Sequence, residues 1–381
     1  MVRKRGNHSL RNIKLLGGSS FFNEVGSEMV SPILPFYITA LGGGGVVIGL
    51  LSGLREGFSS LFKFFGGWFS DKLGKRNAIV LFGYFFSVVF KFLMGIAGSW
   101  QQLVGIISFE RFGKLRDAPR DAMISVATKK HGRDFGIHRL IESMGGLIGI
   151  LFVLFLFWKF ELGFRTIIFV AAGISAFSLV PLFFVSESKS KPVKSSLLKG
   201  LKKLDKRLKY FIFTVSVFTL ANFGLYMFML LRAQELTGSI IIPMLFYALF
   251  TLAFAFFAIP FGKLSDKIGR KKVLLMGYVL FLLVTLGFIF LENVWFLAGL
   301  FLIYGLVYAI TDTNQRAYVS DLSGELKGTA HGLYALSIGL VSVAGGLIAG
   351  YLWEISYTTM FAWLSGIAII SILLLNFIKN H

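Results

Sequence analysis

The sequence predicts an all-α membrane protein: twelve transmembrane helices arranged as two pseudo-symmetric six-helix bundles. Three observations lead there. The 381 residues are 55% hydrophobic and 16% aromatic, with a mean hydropathy of +0.75, more apolar surface than a water-soluble fold can bury. Apolar stretches long enough to cross a bilayer follow one another along the whole chain. A short basic loop pattern also occurs twice, 195 positions apart.

The spans fall at about 13–41, 46–69, 77–98, 102–127, 136–158, 163–185, 209–233, 240–262, 273–291, 294–319, 328–352 and 357–378. Each approaches or exceeds the ~20 residues needed to cross a ~30 Å hydrocarbon core. The first is too long for a cleavable signal peptide, and no small-residue cleavage site precedes the second. Links on one side are short and poor in charge, such as Gly42-Gly43-Gly44-Gly45 and Ser99-Trp100-Gln101-Gln102.

Charge sets the topology. The formal net charge is +20, which in a soluble domain would suggest nucleic acid. Here 27 of the 39 Lys and Arg lie in the termini and alternate loops, at 1–14, 72–76, 129–133, 189–209, 263–272, Lys327 and Lys379. That positive-inside pattern predicts a multi-pass protein of the plasma (inner) membrane with both termini cytoplasmic, and argues against a nucleic-acid partner. Cysteine is absent, which excludes disulfides, thiolate metal sites and thiol catalysis.

The predicted division is a first bundle at 1–185, a cytoplasmic basic linker at 186–208 and a second bundle at 209–381. In the linker Leu197, Leu201, Leu204 and Leu208 recur at helical spacing among Lys199, Lys202, Lys203, Lys206 and Arg207. This predicts an amphipathic helix on the anionic inner leaflet, tethering the halves.

The repeated loop reads Gly67-Trp68-Phe69-Ser70-Asp71-Lys72-Leu73-Gly74-Lys75-Arg76, then Gly262-Lys263-Leu264-Ser265-Asp266-Lys267-Ile268-Gly269-Arg270-Lys271. Glycines at 67, 74, 262 and 269 permit tight turns and close approach. Asp71 and Asp266 are isolated acids in basic surroundings, suited to ion pairs or to a helix N-terminus. An internal repeat of this kind in a membrane chain predicts two homologous bundles facing a shared pathway.

The loop resembles the signature between the second and third helices of the major facilitator superfamily, commonly G-x-x-x-D-R/K-x-G-R/K-R/K. Both copies carry every anchor. The resemblance implies the major facilitator fold, with the first, fourth, seventh and tenth helices lining a central cavity and alternating access by rocking of the halves. It also implies a conformational latch, here Gly67, Asp71, Gly74, Arg76, Arg120, Asp121, Gly262, Asp266, Gly269 and Arg270. The series Gly49, Gly53 and Gly57, and the pairs Gly145 with Gly149 and Gly346 with Gly350, are small-xxx-small packing patterns. In the superfamily these helices meet across the two halves.

Ionisable groups within spans cost roughly 2.5–3.5 kcal/mol each on insertion scales, which makes them functional candidates. They concentrate in the first half: Glu24, Glu28, Arg55, Glu56, Lys63, Lys91, Glu110, Arg111, Lys114, Arg116, Asp117, Arg120, Asp121, Arg139 and Glu142, against Asp312 and Arg316 in the second. Glu24 and Glu28 share a helix face. Glu110, Lys114, Asp117 and Asp121 follow i, i+4, i+7, i+11 spacing, predicting one charged stripe along the fourth span. Asp117 and Asp312 stand 195 apart, an acid at equivalent depth in each half. Asn222 and Tyr226, midway through the seventh span, add neutral hydrogen-bonding groups. Lys63, Arg120, Asp121, Arg139 and Arg316, towards span ends, read as structural ion pairs; Glu24, Glu28, Glu110, Arg111, Lys114 and Asp117 read as functional.

The run Pro119-Arg120-Asp121-Ala122 in the fourth span resembles a subgroup of prokaryotic facilitators. Two departures separate the chain from drug/proton antiporters: Arg111 is followed by Lys114 and Leu115 where those carry R-x-x-Q-G, and Gly149 by Ile150 where they carry Gly-Pro.

No G-x-x-x-x-G-K-S/T phosphate loop occurs, so an ion gradient is the expected energy source. Protons suit buried carboxylates, whose proton affinity responds to burial and to neighbouring cations. Glu24, Glu28, Glu110 and Asp117 are therefore the proton-coupling candidates. Arg55, Glu56, Arg111, Lys114, Asn222, Tyr226 and Asp312 are the substrate-cavity candidates. The expected function is secondary active transport of a small polar or charged solute, proton-coupled and favouring export. The alternatives are a lipid or amphiphile flippase of the same fold and a non-transporting receptor or scaffold. No nucleophile–base pair or metal-ligand spacing stands out, so no enzyme activity, cofactor or metal site is expected; His138, near a span end, reads as a packing or capping residue. The expected partners are the solute, protons and the lipid bilayer, with the chain monomeric.

Overall fold

The computed structural model describes residues 2–73, 76–127, 131–185, 204–324 and 326–378. The predicted amphipathic linker helix lies largely outside the described residues; of its leucines, Leu204 and Leu208 are described, and both are buried.

Ten helices are individually long and apolar enough to cross a membrane among the described residues. They are the predicted spans two, three and five to twelve, from Gly45–Ser70 to Tyr357–Asn376. The first and fourth spans are helical but interrupted. The first runs Val2–Val30, a 3-10 turn Ser31–Ile33, then Leu34–Ala40; Pro32 and Pro35 each withhold the N–H that would continue the ladder. The fourth runs Trp100–Glu110, a 3-10 segment Arg111–Arg116, then Asp117–Ala127. Aromatic and aliphatic side chains such as Trp295, Phe290 and Ile259 are largely exposed on these helices, as a lipid-facing surface requires.

The chain divides into two compact units, Met1–Leu34 with Leu61–Ser195, and Pro35–Ser60 with Ser196–His381. The sequence division at 1–185 and 209–381 assigns residues 35–60 to the first bundle; here they pack with the second unit. The reason is glycine. A Cβ at Gly49 or Gly53 would strike the carbonyl of Gly346 or Ser342 in the eleventh span, and one at Gly45 would lie 2.8 Å from the Gly350 carbonyl. Without side chains, the two backbones meet directly over several turns.

Each unit repeats the same pairings. In the first, span one packs on span five, and span three on spans four and six. In the second, span seven packs on span eleven, and span nine on spans ten and twelve. The contact glycines correspond to within one residue: Gly149 abuts the Val25 carbonyl and Gly345 that of Leu220, the carbonyls standing 195 positions apart and the glycines 196. Gly145 and Gly149 seat the fifth span on Phe21 and Val25 of the first, inside one unit.

The seventh span is also broken. It runs Lys206–Ala221 and resumes at Tyr226–Thr237, with Gly224 at φ 104° between, a conformation that favours glycine. Asn222 and Tyr226 therefore flank an unwound segment instead of sharing one continuous helix.

Candidate functional site

The fourth span positions most of the deep charges, and its interruption decides where they point. Pro119 cannot donate to the Leu115 carbonyl, so the preceding turn tightens to 3-10 geometry. Glycines let neighbouring backbone crowd this segment: a Cβ at Gly66 would collide with the Leu115 carbonyl, and one at Gly83 would lie 2.7 Å from the Gly113 carbonyl. The predicted stripe at i, i+4, i+7, i+11 presumes an unbroken α-helix and does not form as one row. Its members divide among three networks, all within the first unit.

The first network is tight and buried. The Glu110 carboxylate lies 2.5 Å from Arg111 and accepts a 2.6 Å hydrogen bond from Ser87. Lys91 is 2% exposed in the middle of the third span. It donates to the Asn23 side chain at 3.2 Å and the Ser87 hydroxyl at 3.4 Å.

The second network is also tight. Arg120 donates to Glu142 at 3.0 Å, Ser20 at 3.2 Å and Asp121 at 3.1 and 3.2 Å. Arg139 closes on the other Glu142 oxygen at 2.9 Å. Ser20 in turn meets Tyr84 at 2.8 Å and His138 Nε2 at 3.1 Å. Arg116 lies over the Tyr84 ring, 4.4 Å from its centroid, and donates to the Gly113 carbonyl at 2.8 Å. His138 is 1% exposed and sits within this network.

The third network is different. Asp117 has four basic neighbours: Lys63 at 3.7 Å, Arg120 at 3.8 Å, Arg116 at 3.9 Å and Lys114 at 4.0 Å. Lys114 also lies 3.9 Å from Glu24. Charge-assisted hydrogen bonds are about 2.7–2.9 Å long, so none of these five contacts is one. Exposure does not separate the networks, since Glu24, Asp117 and Lys114 are 18%, 13% and 21% exposed and Glu142 is 14% exposed. Distance does: the carboxylates of the other two networks close on partners at 2.5–3.2 Å, whereas the ion pairs around Asp117 and Glu24 span 3.7–4.0 Å.

This sorts the candidates differently from their positions along the spans. Glu110 and Arg111 are a closed pair, whereas Lys63 joins Asp117, Glu24 and Lys114. Glu28 lies one turn beyond Glu24, with Ser31 Oγ 3.5 Å from its carboxylate. Asn23, Ser87 and Ser20 were not singled out from the sequence, since a neutral residue in a span carries no signal until its neighbours are placed. Lys91 did carry one, a lone lysine in an apolar run, but its partner Asn23 comes from another span.

The second unit brings together Arg55, Glu56, Asn222 and Tyr226 around the break in the seventh span. Arg55 donates to Tyr226 at 2.8 Å and Tyr304 donates to Asn222 Oδ1 at 2.7 Å. A Cβ at Gly224 would stand 3.6 Å from Glu56 Cγ. Asp312 pairs with Arg316 at 2.6 Å, four residues on, one basic neighbour among the described residues where Asp117 has four. The repeat explains the contrast. Adding 195 to Glu110, Arg111, Lys114, Arg116 and Arg120 gives Gly305, Leu306, Ala309, Thr311 and Gln315, so the second unit has the acid without its surroundings.

Both loop motifs sit at the ends of the predicted spans. In the second copy Arg270 binds Asp266 at 2.7 Å, Asp321 at 3.1 Å and the Ser265 hydroxyl at 2.5 Å. Lys271 donates to the Asn376 and Ile378 carbonyls at 2.8 and 2.6 Å. In the first copy Gly67 faces Ala118, its Cβ position 3.3 Å away, and Arg76 is buried. Gly74 and the Asp71 side chain lie outside the described residues. Gly269, at φ 96°, ends the eighth span with its N–H 3.1 Å from the Ser265 carbonyl. Gly269→Ala is expected to cost about 1–2 kcal/mol. Gly262→Ala, whose Cβ would meet only Thr313 at 3.9 Å, should be close to neutral. Thermal unfolding of the two variants beside the parent checks this ranking.

Comparison with known proteins agrees with the fold. The family model described as Major Facilitator Superfamily matches residues 16–244 and 211–380. An uncharacterised transporter of that type from Methanocaldococcus jannaschii is 46% identical over 382 residues, covering 97% of this chain and 95% of the relative. Multidrug resistance protein MdtH of Baumannia cicadellinicola is 23% identical, covering 87% of this chain and 82% of its own. A crystal structure of a mutant of the nucleoside transporter NupG superposes with a TM-score of 0.83 over 97% of this chain and 100% of that one; at 14% identity this likeness concerns the fold alone. With twelve helical spans, a doubled loop signature and a family match across nearly its whole length, the chain belongs to the Major Facilitator Superfamily of integral membrane transporters.

Proposed function

We propose that the chain is a proton-coupled secondary transporter that moves a small polar or charged solute by alternating access. Its seat is the plasma (inner) membrane, with both termini cytoplasmic and the chain acting as a monomer. The observation that carries this reading is the arm's-length cluster of Glu24, Lys63, Lys114 and Asp117, with every cation 3.7–4.0 Å from Asp117 or Glu24. Ion pairs that serve only to pay for burial close to hydrogen-bond length, as Glu110 and Glu142 do here. Groups that must exchange partners during a cycle need shallower contacts. A carboxylate whose cationic neighbours move changes its affinity for protons, which links solute binding to proton binding at one place. The multidrug relatives favour export as the direction. The Arg270 contacts to Asp266 and Asp321 suit a latch that breaks and re-forms within the cycle.

Liposomes holding the purified protein and an internal pH-sensitive dye provide the test. With a pH gradient imposed, a solute from a panel of organic ions, amino acids, nucleosides and drugs is expected to drive proton flux. That flux should fall at least about tenfold in Asp117→Asn and Glu24→Gln, the loss expected when an essential proton site is removed. Solute-driven proton flux unchanged in both variants would refute proton coupling through this cluster, and the sign of the dye response separates antiport from symport.

A further inference from the structure

We propose that Lys91 is a proton-binding site in its own right: it takes up and releases the transported proton, and the Ser87 hydroxyl ties its state to Glu110. The inference rests on the proton-coupled reading above and adds to it a residue outside the cluster of Glu24 and Asp117.

Placement is the first argument. Lys91 is 2% exposed within the third span. Its nitrogen reaches the Asn23 side chain at 3.2 Å, the Asn23 carbonyl at 3.4 Å and the Ser87 hydroxyl at 3.4 Å. All three acceptors are neutral, and among the described residues no carboxylate lies within ion-pair distance of it. Arg116 and Arg120 are as deeply buried, at 2% and 3% exposed, yet each stands beside a carboxylate: Asp117 for the first, Glu142 and Asp121 for the second. Arginine keeps its charge in a protein, whereas lysine can give its proton up. The buried cation without a direct acid partner is the one that can become neutral.

Opposed influences are the second. An ammonium has three donors and no acceptor; an amine has two donors and a lone pair. Ser87 commits its own proton to Glu110 Oε1 at 2.6 Å, so it accepts from Lys91, and both Asn23 oxygens accept as well. The hydrogen bonds therefore match the charged form, while removal from water penalises it. Neighbouring charges are mixed too. Glu24 of the first span and Glu110 of the fourth favour the ammonium, and Arg111 and Arg116 of the fourth oppose it.

The third is how the site connects to movement. Two of the three acceptors belong to Asn23, one residue before Glu24, whose own contact to Lys114 is 3.9 Å. A displacement of the first span against the third withdraws both together and leaves only Ser87, four residues back on the same helix. Release is then a simple acid dissociation: one Nζ–H bond breaks, its electron pair stays on nitrogen, and water accepts the proton.

Nuclear magnetic resonance of the purified full chain in detergent, with isotope-labelled lysine, provides the test, because shifts around Nζ separate ammonium from amine. The Lys91 signal is identified by its absence in Lys91→Arg, or by its displacement in Ser87→Ala if the arginine variant does not fold. It is expected to pass from the ammonium to the amine position as pH is raised through the neutral range. A signal that keeps one position throughout would overturn the proposal. In the liposome assay, solute-driven proton flux should fall at least about tenfold in Lys91→Met and equally in Lys91→Arg, since arginine supplies the charge without the exchange. Flux restored by Lys91→Arg would reduce Lys91 to a structural cation and sink the idea. Flux lost in Asp117→Asn but kept in both Lys91 variants would refute this site and leave the transport reading standing. A Lys91 signal that titrates in a parent showing no solute-driven proton flux would keep the proton site and refute the proton-coupled reading instead.

Discussion

Replacing Arg120 by Met is expected to cost about 3–5 kcal/mol, the range for removing one partner of a buried ion pair, and to lower both yield and unfolding temperature in detergent. Arg120 is 3% exposed, and its guanidinium reaches three side chains in three spans: Ser20 in the first, Asp121 in the fourth and Glu142 in the fifth. Removing it strands Glu142, 14% exposed, with only Arg139, which is itself 62% exposed and held by a solvent-weakened bond. The Ser20 hydroxyl loses a donor while still facing Tyr84 and His138. Two comparisons isolate the cause. Arg139→Met should change stability by less than about 1 kcal/mol, as exposed pairs do. Adding Glu142→Gln to Arg120→Met should recover part of the loss, because it neutralises the stranded charge. Thermal unfolding of the single and double variants gives the answer; a parental unfolding temperature for Arg120→Met would show that this network does not hold the unit together.

Such a result would also separate two uses of charge within one span. Arg120 and Asp117 are three residues apart, yet one is fixed by bonds of 3.0–3.2 Å and the other stands 3.7–4.0 Å from four cations. The membrane imposes the same cost on both. Stability meets it by closing the pairs. Exchange requires that they stay open, which is why the cluster of longer contacts and not the tightest pair is the one proposed for transport.

The twelve spans and the repeat were legible because they depend on composition over twenty-residue windows and on a register of 195 that packing keeps to within one residue at Val25 with Gly149 and Leu220 with Gly345. The interruptions were legible too, in Pro32, Pro35, Pro119 and Gly224, but helical spacing was carried through them. A stripe counted at i, i+4, i+7, i+11 fails once a 3-10 turn rotates Lys114 and Asp117 relative to Glu110. The separation of tight from open ion pairs had no sequence signal. It turns on about 1 Å between side chains of different spans, and Lys63, placed by its height in the second span among the structural charges, stands beside Asp117. Asp312 shows the reverse limit. Its position repeats that of Asp117, but its surroundings have Ala309 and Thr311 where Lys114 and Arg116 should be.

Gly49→Leu is the second change with a large expected effect, at least about 3 kcal/mol, the upper end of overpacking costs. A Cβ at Gly49 overlaps the Gly346 carbonyl, and carbonyl groups within a helix cannot turn aside as a flexible side chain can. The second and eleventh spans must then separate, and the contacts at Gly45, Gly53 and Gly57 separate with them. Gly173 in the sixth span, whose Cβ would meet nothing within 4 Å, provides the control, and Gly173→Leu should be tolerated. Because the chain contains no cysteine, a single introduced thiol reports the separation without background. Ser342 is 1% exposed beside Gly53. Ser342→Cys should resist a maleimide in the parent and in Gly173→Leu, and react in Gly49→Leu. Labelling with a normal unfolding temperature would mean that the fold survives with these spans apart, as a cycle that opens this contact requires. Labelling with a lowered unfolding temperature would mean that the glycine contact also holds the unit together. A protected thiol and an unchanged unfolding temperature would refute the close backbone contact itself.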